Sequence, residues 1–97
     1  MFDLYTWSTP NGRKISIMLE ECGLDYEVHP INILENEQFA PEFLAISPNN
    51  KIPALVHRED GTSLMESGAI LLYLAERTGK LHRRRDHWPT IEWLMWQ

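Results

Sequence analysis

The chain contains one cysteine, Cys22, so it can form neither an intrachain disulfide nor a Cys-x-x-Cys redox pair. It has no apolar stretch long enough to span a bilayer, and its N-terminus lacks the basic and apolar segments of a signal peptide. Basic residues are also few, since nine Lys and Arg against fourteen Asp and Glu leave a net charge of −5. These features argue against nucleic acid or an anionic membrane as a partner and predict a cytoplasmic protein.

Four short segments are typical of β-strands in a chain whose 97 residues suit one ordinary domain with a short extension. Alternating patterns and β-favouring residues predict strands over residues 2–6, 26–33, 53–57 and 63–65. Turn residues at positions 59–62 separate the last two segments and predict a hairpin.

Three longer segments have the one-sided apolar pattern of helices, over residues 13–21, 36–46 and 66–78. Gly23 and Gly79 stand where helices commonly end, and Pro41 makes the second helix short and irregular. The resulting order is β-α-β-α-β-β-α, in which two parallel strands precede an antiparallel hairpin. We therefore expect an α/β, thioredoxin-like domain with a four-stranded mixed sheet.

The last residues differ in composition from the rest of the chain. Residues 80–88 are charged and unpatterned, which predicts a linker, and residues 89–97 read as a new helix. The tryptophans at positions 88, 93 and 96 are too many for an exposed tail. We expect residues 1–79 to form the first domain and residues 89–97 to be the first helix of a truncated, all-helical second domain, or a surface that binds a partner.

Two segments indicate a binding site for a small peptide. Pro53 stands directly before a short apolar run and cannot donate to a sheet ladder, so we expect the backbone of Ile52 to be free to bind an extended peptide. Glu66 and Ser67 at a helix start offer a carboxylate, a hydroxyl and free N–H groups. Together these groups suit a peptide that carries both an ammonium and a carboxylate.

Four motifs occur in the order and spacing of the N-terminal domain of cytosolic glutathione transferases, which the chain resembles over residues 2–79. They are Thr9-Pro10-Asn11-Gly12, Pro41-Glu42-Phe43, residues 47–55 and residues 66–74. Each motif alone is weak, but four in the right order are specific. Thr-Pro-Asn-Gly-Arg-Lys after the first strand is most similar to the bacterial nu class and to the yeast nitrogen-regulator-like members.

The resemblance implies a role for each matching residue. The backbone of Ile52, before a cis Pro53, would pair with the cysteinyl part of glutathione. Glu66 would meet the γ-glutamyl ammonium, and Ser67 would meet the γ-glutamyl carboxylate. Two further residues would lie near the glycyl end or the tripeptide backbone, namely Gln38 and Lys51.

The sulfur chemistry that the resemblance implies needs no protein base. Thr9 and Asn11 would sit beside the sulfur as the catalytic groups, and Ser8 leaves a serine-type site open as an alternative. Hydroxyl and amide donors at the start of the first helix would stabilise the thiolate, the reactive form of a thiol whose pKa is ~8.5. The chain lacks the tyrosine or cysteine that other classes of the family have at this position.

Each of these residues also has an ordinary structural interpretation. Glu66 and Ser67 could form only a helix cap, and Pro53 could be a trans proline at a sheet edge. Thr9 and Asn11 could only shape a turn and cap the first helix. Taken alone, each structural interpretation is the commoner one.

No metal site is expected in this chain. His82 and His87 have no recognised ligand spacing and are expected to lie in a solvated linker together with the basic residues 83–85. Cys22, near the end of the first helix, is expected to be a packed residue rather than a nucleophile.

We therefore expect the glutathione-binding domain of an enzyme with glutathione as its co-substrate. The enzyme would conjugate glutathione to a small electrophile, or would use two glutathione molecules to reduce a disulfide. The resemblance implies a homodimer. The alternative is a non-catalytic interaction or assembly module on the same fold, since a fold does not determine function.

Overall fold

A four-stranded mixed sheet forms the centre of the computed structural model, which describes residues 1–97. The strands are β1 (Phe2–Thr6), β2 (Tyr26–Pro30), β3 (Ala54–His57) and β4 (Ser63–Met65), in the spatial order β2-β1-β3-β4. β1 and β2 are parallel, whereas β3 is antiparallel to both β1 and β4. The predicted fold class is confirmed.

Four α-helices and three 3₁₀ turns surround the strands. The helices are α1 (Pro10–Glu21), α2 (Pro41–Leu44), α3 (Ser67–Thr78) and α4 (His87–Trp96). The 3₁₀ turns are Ile33–Glu35, Glu37–Phe39 and Arg84–Asp86. None of the helices combines the length and the apolarity that crossing a membrane requires.

The segment between β2 and α2 is less regular than the sequence pattern predicts. β2 ends at Pro30 rather than at residue 33, because Asn32 turns the chain and accepts a hydrogen bond from the N–H of Leu34 at 3.0 Å. The helix predicted over residues 36–46 is divided into a 3₁₀ turn and the single turn of α2. Asn36 has a φ of 60°, a left-handed conformation that cannot be part of a right-handed helix.

Two helices begin earlier than their apolar patterns indicate. α1 begins at Pro10, because Thr9 caps it and the φ of proline suits a first helical position. α4 begins at His87, which makes Pro89 its third residue. Proline is tolerated there because the first N–H groups of a helix have no acceptor within the helix. The division into domains at residues 79 and 89 stays a prediction.

The core lies between one face of the sheet and the helices α1 and α3. Alternate residues of β1 point to this face, so Phe2 and Leu4 are buried in it, while Asp3 and Tyr5 point to the opposite face. The buried cluster consists of Phe2, Leu4, Ile15, Met18, Leu19, Cys22, Leu55, Ile70, Leu74 and Ala75. This layer fixes the positions of α1 and α3 on the sheet.

A charged network lies on the opposite face. The carboxylate of Asp3, which is 13% exposed, accepts hydrogen bonds from Nε of Arg58 at 2.9 Å and from Nη2 of Arg58 at 2.6 Å. His29 lies 2.8 Å from the same carboxylate, and Arg58 also pairs with Glu27. The hydrogen bonds from Arg58 are the main reason that the pKa of Asp3 falls from 3.8 to about 2, although burial acts in the opposite direction.

We expect Asp3→Asn to remove a pH-dependent part of the stability. A carboxyl whose folded pKa lies below its unfolded pKa stabilises the folded state above the unfolded value, and this contribution is lost as the pH falls. For Asp3 the contribution is about 2 kcal/mol, is complete above about pH 5 and is lost as the pH falls through the folded pKa of about 2. The measurement is the free energy of urea unfolding over this range, in which the variant should lose less stability than the wild type.

The matched control is Asp25→Asn, which neutralises an exposed carboxylate just before β2. If this control flattens the pH profile as much as Asp3→Asn does, the Arg58 network is not the cause of the acid sensitivity.

Candidate functional site

The register of the sheet brings three chain segments to one end of the sheet. Tyr5 near the end of β1 pairs with Ala54 at the start of β3, and Ala54 pairs with Met65 at the end of β4. β1 and β4 therefore end where β3 begins, and we call this the site end of the sheet. Because α1 follows β1 and α3 follows β4, both helices begin at the site end.

The predicted site residues fall on these segments. The turn between β1 and α1 holds Ser8, Thr9 and Asn11, the entry to β3 is residues 52–53, and the exit from β4 is residues 66–67. Two helix N-termini with partial positive charge thus stand beside a strand entry, which is an arrangement suited to an anionic, extended ligand.

Thr9 holds the first turn of α1. Its Oγ1 accepts a hydrogen bond from the N–H of Gly12 at 3.1 Å, which makes Thr9 the N-cap of the helix. The hydroxyl keeps its own proton, so Thr9 can cap the helix and still donate a hydrogen bond to a ligand. Ser8 is exposed and lines a cavity of about 250 Å³ together with Val28 and Pro30 of β2, so it lies on the β2 side of the turn.

Gly12 allows the first turn of α1 to lie close against the end of β1. A Cβ at this position would stand 2.3 Å from Oγ1 of Thr6 and 2.5 Å from the backbone oxygen of Trp7. Thr6 is buried, so neither atom is the free end of a flexible side chain. Only glycine fits, and the sequence motif contains Gly12 without revealing this packing reason.

Ile52 and Pro53 are joined by a cis peptide bond. β3 begins at Ala54, and neither the N–H nor the C=O of Ile52 has a hydrogen-bond partner within the chain. Ser47, which is completely buried, donates a hydrogen bond to the C=O of Lys51 at 2.9 Å and holds the loop that precedes Ile52. The sequence analysis did not identify Ser47, because a serine before proline is also common in unremarkable loops.

Glu66 precedes α3 in a conformation that is unusual for its residue type. Its φ is 74°, its carboxylate is exposed, and its side chain makes no capping hydrogen bond. A positive φ at a non-glycine residue costs about 1–3 kcal/mol, so the presence of Glu66 does not stabilise the turn. The N–H groups of residues 67–69 have no acceptor within the chain.

Gln38 and Lys51 are less closely tied to the site end. Gln38 lies in the 3₁₀ turn Glu37–Phe39, and its Oε1 is buried without a hydrogen-bond partner. A buried acceptor without a partner costs about 1–3 kcal/mol, which favours a partner that donates to it. Lys51 is exposed, and no hydrogen bond joins either side chain to Asn11 or Glu66.

Cys22 lies at the opposite end of α1 from Thr9. It is buried at the C-terminus of the helix, and its Sγ lies 3.7 Å from Oγ1 of Thr78. A helix of 12 residues separates it from the site end by about 18 Å. Cys22 therefore cannot exchange a disulfide with a ligand held at the site end.

Two groups of metal-ligating side chains occur, and neither has the character of a metal site. The first group has ligand atoms within 4.8 Å of one another and consists of Asp3, Glu27 and His29. The guanidinium of Arg58 already pairs with both of its carboxylates. His82 and His87 stack with ring centroids 5.1 Å apart. Two imidazoles alone are fewer protein ligands than zinc usually takes.

The sequence and the fold both match known proteins. The family model described as "Glutathione S-transferase, N-terminal domain" matches residues 1–76. The chain is 54% identical over 104 residues to "Disulfide-bond oxidoreductase YfcG" of Escherichia coli (strain K12), covering 100% of the chain and 48% of that protein. It is 49% identical over 71 residues to "Protein URE2" of Eremothecium gossypii, covering 72% of the chain and 20% of that protein.

A solved structure of a glutathione transferase family member also matches this chain in fold and in sequence. The crystal structure of a glutathione transferase family member from Pseudomonas fluorescens pf-5, with two glutathione bound, matches with a TM-score of 0.92 and 49% identity, covering 97% of this chain and 44% of that chain. The predicted similarity to bacterial and yeast members is confirmed. The chain spans about half or less of the length of these relatives.

We expect Gly12→Ala and Gly68→Ala to change the stability in opposite directions. Both glycines lie in the first turn of a helix, where alanine is favoured over glycine by up to about 1 kcal/mol. At Gly68 the nearest atom to an added Cβ is 3.7 Å away, so this gain should appear as increased stability. At Gly12 the overlap with Thr6 and Trp7 should exceed the gain and cost about 1–3 kcal/mol net.

The measurement is the free energy of urea unfolding of the two variants and the wild type. A Gly12→Ala variant that is as stable as the wild type would contradict the tight packing of α1 on the end of β1.

Proposed function

The chain belongs to the glutathione S-transferase family, and we propose that it is the glutathione-binding domain of an enzyme that reacts through the thiol of bound glutathione. The enzyme would be a glutathione transferase or a glutathione-dependent disulfide-bond oxidoreductase. A small electrophile or a disulfide is its proposed second substrate, and a second copy of the chain is its proposed partner in a homodimer. The single buried cysteine suits the reducing cytoplasm.

Unpaired polar groups of complementary character at the site end carry this proposal. The N–H and C=O of Ile52 are unpaired at the entry to β3, and an extended cysteinyl residue can pair with both of them. The carboxylate of Glu66 suits the γ-glutamyl ammonium. The N–H and hydroxyl of Ser67, at the start of α3, suit the γ-glutamyl carboxylate.

We assign the rest of the tripeptide to the two remaining residues. The ammonium of Lys51 is exposed next to Ile52 and suits the glycyl carboxylate. Gln38 lies in the 3₁₀ turn before α2, and the Nε2 protons of its amide suit a carbonyl oxygen of the tripeptide backbone.

The sulfur is assigned to Thr9 and Asn11 rather than to Ser8. Ser8 lines the cavity beside β2, whereas Ile52 and Pro53 adjoin β1 from the side of β3. The hydroxyl of Thr9 and the amide of Asn11 can donate hydrogen bonds at the N-terminus of α1. Donors and a helix dipole favour the thiolate over the thiol, so the pKa of the bound thiol falls towards neutral pH.

The thiolate can then react in one of two ways. With an electrophile it forms a carbon–sulfur bond, and the electron pair of the bond that breaks either departs with a leaving group or takes a proton from water. With a disulfide it attacks one sulfur, releases the other as a thiolate and forms a mixed disulfide, which a second glutathione resolves into glutathione disulfide and a second thiol. We favour the disulfide reaction, because the Escherichia coli relative is called a disulfide-bond oxidoreductase and the Pseudomonas fluorescens structure holds two glutathione molecules.

The non-catalytic module remains the second candidate. A platform that binds only proteins would have no reason to keep Glu66 in a strained, uncapped conformation. Binding of glutathione without turnover of either substrate class would support the module over the enzyme.

We expect Glu66→Gln to weaken glutathione binding by about 10–100-fold, because it removes a charged partner of the ligand ammonium. The fold should be unaffected, since the carboxylate makes no hydrogen bond within the chain. The measurement is the dissociation constant of glutathione by calorimetry, together with the free energy of unfolding. Glu76→Gln, which neutralises an exposed carboxylate on the same helix, is the matched control. Equal affinities of wild type and Glu66→Gln would exclude Glu66 from the site.

We expect Thr9→Asp to separate helix capping from the stabilisation of the thiolate. Aspartate caps a helix as well as threonine does, so the free energy of unfolding should change by no more than about 0.5 kcal/mol. Ionised aspartate has no proton to donate and repels a thiolate, so the pKa of the bound thiol should rise by at least about 1. The measurement is the ultraviolet absorbance of the thiolate as a function of pH.

Thr9→Ser, which keeps both the cap and the hydroxyl donor, is the control and should behave like the wild type. If Thr9→Asp leaves the pKa of the thiol unchanged, Thr9 serves only as the N-cap of α1.

A further inference from the structure

Lys14 lies one helical turn after Asn11 and contacts it directly. Its Nζ donates a hydrogen bond to Oδ1 of Asn11 at 2.9 Å, and it also donates to Oε1 of Gln97 at the end of α4. That end of α4 lies against the first turn of α3, because a Cβ on Gly68 would stand 3.7 Å from Nε2 of Gln97. The ammonium of Lys14 thus contacts two different elements where the ends of α1, α3 and α4 meet.

The contact decides which end of the Asn11 amide can reach a ligand. An ammonium has only donors, so it can bind the oxygen of an amide and never its nitrogen. With Oδ1 occupied by Lys14, both protons of Nδ2 are left, and Nδ2 has no hydrogen-bond partner within the chain. A thiolate accepts hydrogen bonds, so only the Nδ2 end of Asn11 can stabilise it. The opposite orientation would present an oxygen to the sulfur and repel it.

The charge of Lys14, at the start of α1, is not paired with an acidic side chain of the neighbouring elements. Apart from Lys14, the charged side chains of the neighbouring elements are Arg13, Glu20 and Glu21 on α1, Glu66 before α3, Glu76 and Arg77 on α3, and Glu92 on α4. No ion pair joins Lys14 to Glu66 or Glu92, so its charge is not neutralised within the chain.

We propose that Lys14 is a positioning residue, which orients the Asn11 amide so that Nδ2 is offered to the thiolate of bound glutathione. The proposal rests on the proposed function and adds a residue to the same site. The simpler interpretation is a surface contact between residues i and i+3 of a helix, which is common and weak. The second hydrogen bond of the ammonium, to Gln97, distinguishes Lys14 from such a contact, because it connects the donor to a residue at the end of α4.

The experiment measures the pKa of bound glutathione in the full-length protein from the ultraviolet absorbance of the thiolate. Lys14→Met should raise this pKa by about 1, chiefly because the amide is then free to turn its oxygen towards the sulfur. Lys14→Arg, which keeps the charge and the donors, should restore the wild-type value in large part. Lys80→Met removes the same charge at the far end of α3, where Lys80 contacts the backbone oxygen of Cys22, and should leave the pKa unchanged.

A double-mutant cycle tests whether Lys14 acts through Asn11. If it does, Lys14→Met should raise the pKa of the thiol in the wild-type background and have little further effect in Asn11→Ala, so the two changes are not additive. An equal rise in both backgrounds would mean that Lys14 acts only through its charge, and this result overturns the positioning role. An unchanged pKa in Lys14→Met also overturns it.

These outcomes are distinct from failure of the proposed function. If the wild-type protein binds no glutathione, the proposed function is wrong and the positioning role is overturned with it. If the wild type binds glutathione with a lowered thiol pKa and Lys14→Met binds it with the same pKa, the proposed function stands and only the role of Lys14 is overturned.

Discussion

The pairing of Ala54 with both Tyr5 and Met65 is the constraint on which the rest of the site depends. It aligns the end of β1, the start of β3 and the end of β4, so two helices and one strand entry share one end of the sheet. A slip by one residue would turn the buried residues of β3 to the opposite face, and the core against α1 and α3 therefore holds the register. The geometry of the site is thus a consequence of core packing.

Local contacts then fix the backbone of the turn after β1 and of the loop before β3. Thr9 caps α1, Gly12 permits close packing, and Ser47 holds the carbonyl of Lys51. Each contact fixes a backbone segment whose neighbouring polar groups stay unpaired. The positive φ of Glu66 and the buried, unpaired Oε1 of Gln38 cost stability, and the core of the domain offsets that cost.

The chain also presents an apolar surface that its own core does not cover. Trp88, Trp93 and Trp96 on α4 are each at least 70% exposed, whereas the middle of α3 is buried. An exposed surface of this size and character is typical of a contact with a further domain or partner. The end of α4 also meets α1 and α3 through Gln97, so one end of this apolar surface lies close to the proposed sulfur site.

The sequence by itself determined the element order, the fold class and the family, because alternation, helical periodicity and turn residues are local signals, and the motifs keep a fixed spacing. It also predicted which segments carry the candidate site residues. Only the tertiary structure decided that Thr9 rather than Asn11 caps α1, that Glu66 does not cap α3, and that Lys14 holds Asn11. These facts depend on contacts and backbone angles that the fold imposes, and a local pattern does not contain them.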